Sequence, residues 1–168
     1  MAPQRVFTTP DGAVTILHPN PRHQRPDESA RAFLDRIEAL NRDPGHHRDK
    51  RGAPIPPLGA TMTAVGDVDA PPPTRRFRAC WRWRDGAVVV DLPLARAQRL
   101  AEIRRERDRR FAALDGEWTK ATATGDGAGA ARIDATRQRL RDVPQAATVA
   151  LETCATPETV AAYEPAWP

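Results

Sequence analysis

The densest concentration of chemically useful side chains is the run RRFRACWRWR at 75–84, in which arginines are interleaved with Phe77, Trp81 and Trp83. Cations mixed with rings are how many proteins grip a nucleic-acid strand, with phosphates on the guanidinium groups and bases on the aromatic faces. That use requires both sets on one exposed face. Read with a period of two, Phe77, Ala79, Trp81 and Trp83 point one way while Arg76, Arg78, Arg82 and Arg84 point the other. The run therefore reads as a strand with an aromatic inner face and a cationic outer one. Asp85 and Gly86 follow, the pair favoured in a two-residue type I′ turn, and then AVVVDL. A hairpin built on them sets Trp83 opposite Val88, Trp81 opposite Val90 and Arg82 beside Val89, with Asp91 near Cys80. Burial of such rings contributes about 1.5–3 kcal/mol per large side chain and withdraws them from stacking on bases. The arginine face is left as a surface for an acidic partner.

Other groups give weaker patterns. His46 and His47 with Asp49 suggest metal ligands, but adjacent side chains diverge and no third ligand shares their element. His18 and His23 sit among prolines without a cysteine or carboxylate set as a nucleophile–base pair. Cys80 and Cys154 are too few and too far apart for a zinc site or a disulfide framework. The stretch GDGAG lacks the spacing of a phosphate-binding loop. RRERDRR at 104–110 is basic, yet Glu102, Glu106 and Asp108 are interspersed, and Glu106 is placed to pair with Arg110 across one turn. Hence no catalytic residue, cofactor site or metal site is assigned.

The chain has 168 residues, 40% of them hydrophobic and 29% charged, with 17 prolines and a net charge of +4. That supports one modest domain or two small ones with little surplus of core. The 26 basic residues are offset by 22 acidic ones, a mild bias only, and lysine occurs only at Lys50 and Lys120. The opening residues carry no apolar signal core, and no window reaches the roughly 18 apolar residues of a membrane span. A soluble protein in a bacterial cytosol is expected.

The elements that must position these groups fall in two parts. RVFTTPDGAVTILHP reads as a hairpin turning at Pro10, Asp11 and Gly12. Prolines at 19, 21 and 26 then bar regular structure until Asp27, expected to cap a helix carrying Ala30, Phe33, Leu34, Ile37 and Leu40 on one face. The helix is expected to end at Asp43, Pro44 and Gly45; a polar, proline-rich connection runs through 46–59, then a third strand within ATMTAVGDVD and a polyproline spacer at 71–73. From Leu94 to about Lys120 the pattern predicts a long amphipathic helix whose stripe is Leu100, Ile103, Phe111, Leu114 and Trp118, with Arg107 lying on it. ATATGDGAG breaks that helix, and a second carries Ile133, Leu140 and Val143 until Pro144 is expected to stop it. A short helix from Thr156 and a docking Trp167 close the chain. The fold class is α+β: a mixed module of two β-hairpins and one helix over 1–93, then an antiparallel helical hairpin with an anchoring tail over 94–168.

The wording of several of these stretches is familiar. IRRERDRRFAALDGEW, a second helix ending TRQRLRDVP and a closing WP resemble small tail-region proteins of tailed bacteriophages, including tail assembly chaperones. VFTTPDGAVTILHP and FRACWRWRDGAVVVDLPLARA are similar to the front halves of the same group, and 41–73 is the least similar part. A second helix opening on GDGAGAA departs from the usual pattern and makes the rigidity of the hairpin a question for the structure. The resemblance implies a non-enzymatic structural component of the tail tip, baseplate or fibre-proximal region. It would be assembled in the host cytoplasm, reside in the virion, and be joined to other tail or fibre proteins in a homo- or hetero-oligomer. The partner-contacting residues expected are Leu100, Ile103, Arg107, Phe111, Leu114, Trp118 and Trp167. The rival readings are an assembly chaperone absent from the finished particle and, from a different class, an arginine-rich nucleic-acid-binding protein.

Overall fold

A computed structural model describes residues 3–43, 59 and 61–168. His46, His47 and Asp49, weighed above as metal ligands and not assigned, and most of the proline-rich connection lie outside the described residues. The chain is α+β and divides into two compact units, Met1–Asp91 and Leu92–Pro168.

In the first unit, β1 (Gln4–Thr8) is the middle strand of an antiparallel sheet, flanked by β2 (Val14–Leu17) and β3 (Thr63–Val68). Gly12, at φ 79°, turns the chain between β1 and β2, a conformation open to glycine because it has no Cβ. As the middle strand, β1 has its three central residues, Arg5, Val6 and Phe7, all buried. Alternation sends Val6 to one face, where it meets Val14, Ile16 and Trp81 in a single apolar cluster. Arg5 and Phe7 go to the other face, where Arg5 bonds Asp35 and Glu38 of helix α1 (Ala30–Arg42) and the Arg42 guanidinium lies 5.5 Å from the Phe7 ring centre. The sheet thus sits between α1 and the tryptophan hairpin.

Helix α1 starts later than its expected cap. Ser29, and not Asp27, occupies the N-cap, its hydroxyl accepting from the Ala32 N–H at 3.1 Å. The preceding Glu28 is engaged elsewhere. Its carboxylate accepts from the Arg36 side chain at 2.8 Å and from the Arg25 backbone at 3.1 Å, and the Arg36 bond holds its pKa down at about 2.

The tryptophan hairpin has the expected register, β4 (Trp81–Arg84) pairing with β5 (Ala87–Val90) so that Trp81 faces Val90 and Trp83 faces Val88. Asp85 and Gly86 both have positive φ, 51° and 79°, as a type I′ turn requires. The strand is shorter than the alternation suggests. Arg75–Cys80 coils as 3₁₀ turns kinked at Phe77, so only half of the run alternates. Phe77 and Cys80 are buried nonetheless.

Trp83 lies against the backbone of β3. A Cβ added to Gly66 would sit 2.6 Å from the Trp83 Cζ2, closer than carbon atoms can approach. Gly66 stands beside a bulge, since Val6 pairs with Gly66 and Phe7 with Ala64, leaving Val65 as the extra residue. Gly66→Ala should therefore cost about 1–3 kcal/mol by overpacking a rigid ring. Urea unfolding measures this, and the cost should largely vanish in a Trp83→Leu background.

The second unit is a helical hairpin. Helix α2 spans Leu92–Ala123 and α3 spans Gly127–Thr153. GDGAG is the joint between them, and it is well defined. Gly125 has φ 72°, its N–H bonds the Thr122 carbonyl at 3.2 Å, and the Asp126 N–H bonds the Ala121 carbonyl at 2.9 Å. That paired pattern closes a helix C-terminus, after which the Asp126 side chain caps α3 by accepting from the Gly129 N–H at 2.8 Å. The glycine-rich start therefore terminates one helix and opens the next within four residues.

Pro144 does not stop α3, which continues to Thr153. The ring is buried, as are Leu140, Val143, Ala147 and Leu151. Packing along that seam outweighs the missing N–H donor and the clash of the ring with the preceding turn, which together cost about 3 kcal/mol in a helix interior. Helix α4 (Pro157–Ala162) starts from Thr156 as expected, with Thr156 and Thr159 capping each other reciprocally.

Candidate interaction surface

The stripe on α2 is largely consumed inside its own unit. Ile103 is only 1% exposed, and Leu100, Phe111, Leu114 and Trp118 are half-buried. The arginines of α3 cover its rings: the Arg141 guanidinium carbon lies 5.7 Å from the Phe111 ring centre and that of Arg137 5.1 Å from Trp118. Trp167 docks in the tail, half-buried, with Arg110 at 4.5 Å from its ring. Phe7, Phe33 and Trp81 each carry an arginine of the first unit in the same way. A planar guanidinium stacks on a ring while remaining hydrated at its edge, which a lysine ammonium does less well. Among the described residues, six of the eight phenylalanine and tryptophan rings are covered so. The preference for arginine over lysine thus has a structural use here.

The alternating run places its groups as the strand logic requires where it is a strand. Trp81 is 2% exposed and Trp83 half-buried, while Arg84 projects outward and bonds Asp91 at 2.7 Å. Arg78 lies over the Trp81 ring at 6.0 Å. The rings are therefore not free to stack on bases.

Two buried arginines escaped the sequence reading. Arg5 is 8% exposed and bonds three carboxylates: Asp67 at 2.9 Å, Asp35 at 2.5 Å and Glu38 at 3.0 Å. The bond to Asp67 outweighs burial and drives its pKa above the ordinary arginine value. Arg99 is 6% exposed and holds the tail to α2, donating to the Tyr163 carbonyl at 2.7 Å, to Glu164 at 2.7 Å and to Glu102 at 3.1 Å. The available signal for Arg5 was an arginine in phase with Phe7 on a short apolar strand. Arg99 gave none, because i,i+4 periodicity cannot distinguish a charge facing solvent from one facing a tail.

What stays open on the helical hairpin is different from the predicted stripe. Val149 is 66% exposed and Leu94 38% exposed, the large apolar side chains most open to solvent. On the same two helices, Pro93, Ala97, Leu100, Leu151 and the Arg96 stem line a groove of about 260 Å³. A second concavity of about 200 Å³ lies between α2 and α3, lined by Arg104, Arg107, Arg141, Pro144, Gln145 and Thr148. Arg107 thus faces other arginines, and its own bond is to the neighbouring Asp108 at 2.7 Å.

Among the described residues no helix is long and apolar enough to cross a membrane, and no three His, Cys, Asp or Glu side chains are grouped to hold a metal ion. Cys80 and Cys154 are both free thiols. His18 has its pKa lowered, first by burial of the ring and then by the charges of Arg75 and Arg78. No protein-family model, curated protein or solved structure matches the chain.

Proposed function

We propose that this chain is a non-enzymatic structural component of a bacteriophage tail that works by protein–protein contact, in the tip, baseplate or fibre-proximal region. The observation that carries the reading is the second unit. It holds two long helices, the first about 48 Å from end to end at 1.5 Å per residue, with exposed apolar side chains at Leu94 and Val149 and a groove lined by Leu100. Such a hairpin is self-supporting yet retains apolar surface suited to another helix. The tail-protein wording of the sequence supplies the context, and other tail or fibre proteins are the partners it implies.

Quantitative mass spectrometry of purified particles from a phage encoding this chain tests the reading. A fixed stoichiometry relative to the major tail protein is expected. Absence from particles, together with co-purification with a tail protein from infected cells, would establish the chaperone instead. Filter binding to DNA at two salt concentrations addresses the remaining class, since several phosphate contacts give a steep loss of affinity with salt.

A further inference from the structure

We propose that the concavity between α2 and α3 lined by Arg104, Arg107 and Arg141 binds a single phosphate dianion. The inference does not depend on the tail assignment.

Three arginines, Arg104, Arg107 and Arg141, line one space of about 200 Å³ together with Gln145. Their charges are poorly answered from within the chain. Among the described residues the one carboxylate Arg107 bonds is its neighbour Asp108, whose side chain is 62% exposed, and Arg141, which lies over the Phe111 ring, bonds the neutral Gln138 amide oxygen at 3.1 Å. Arg104 bonds no carboxylate among the described residues. Like charges gathered in a concavity repel, and an anion there relieves the repulsion while accepting several charge-assisted hydrogen bonds. The planar guanidinium fork matches the oxygen spacing of phosphate.

The rest of the hairpin favours one phosphate group over a nucleic-acid strand. A strand requires a continuous run of free cations. Here Arg99 pairs with Glu102 and Glu164, Arg109 and Arg110 with Glu106, and Arg137 with Asp115. Arg105 and Arg139 bond no carboxylate among the described residues either, but neither lines this concavity.

The full chain is to be titrated with inorganic phosphate by calorimetry at pH 8, with ionic strength held constant by sodium chloride. Saturable binding with a dissociation constant on the order of a millimolar is expected. Arg104→Gln and Arg107→Gln should each weaken it at least about tenfold. Arg105→Gln, on an exposed position of the same helix outside the concavity, should leave it unchanged. Circular dichroism shows whether each variant is folded. Absence of saturable binding to the folded wild-type chain overturns the proposal, as does equal affinity in folded Arg104→Gln and Arg107→Gln. Binding of a single-stranded oligonucleotide that those variants abolish, without any response to phosphate, overturns it in favour of nucleic acid.

Discussion

Trp81→Ala is expected to lower unfolding stability by about 3–5 kcal/mol, the range for removing a large buried ring. Trp81 is 2% exposed and packs with Val6, Val14 and Ile16, so it joins the tryptophan hairpin to the three-stranded sheet. A two-stranded hairpin is marginal alone, and its order depends on that contact. Trp81→Phe should cost much less. The smaller ring leaves a void, but it also removes an indole N–H that is buried without a hydrogen-bond partner among the described residues, a group that is costly to desolvate. Urea unfolding followed by circular dichroism gives both values. A near-silent alanine variant would mean that the hairpin does not rest on the sheet through this ring.

Arg5→Leu is expected to cost about 3 kcal/mol, the lower end for breaking a buried ion pair, because Asp35 and Asp67 have side chains 58% and 33% exposed and are partly served by water. The loss comes less from the missing attraction than from three carboxylates left facing one another where one cation had joined them. The two causes separate in a double variant. Adding Asp67→Asn to Arg5→Leu removes one stranded charge and should recover part of the loss, whereas Asp67→Asn alone should destabilise. If the two substitutions are merely additive, Arg5 acts through its hydrocarbon stem and not its charge.

Much of the first unit was legible locally. The turn residues at 10–12 and 85–86 specify their hairpins through glycine conformation, and the period-two pattern then sets which side chains face each other. The strand alternation was overextended to 76–80, because Phe77 and Cys80 are buried in 3₁₀ turns as readily as on a strand and composition does not separate the two. Pro144 misled in the opposite sense. A local rule ends a helix there, but the rule prices only the lost hydrogen bond and the ring clash, and the buried seam around it repays more.

The candidate surfaces were less accessible. The residues expected to face a partner, from Leu100 to Trp118, formed a sound stripe, and the structure folds α3 and its arginines over much of it. Which part of an amphipathic helix remains open depends on what returns to cover it, and here the return comes from the following helix, from Arg137 over Trp118 and Arg141 over Phe111.

By itself the sequence determined the fold class, the two hairpin turns, the Thr156 cap and the presence of the two long helices, since each follows from chain geometry within a few residues. Only the tertiary structure decided that Arg5 and Arg99 are buried, that arginines roof the rings, and that Arg104, Arg107 and Arg141 share one concavity. Those outcomes depend on charges and rings brought together across long separations, where the energy of a side chain is set by its neighbours in space and not by its neighbours in the chain.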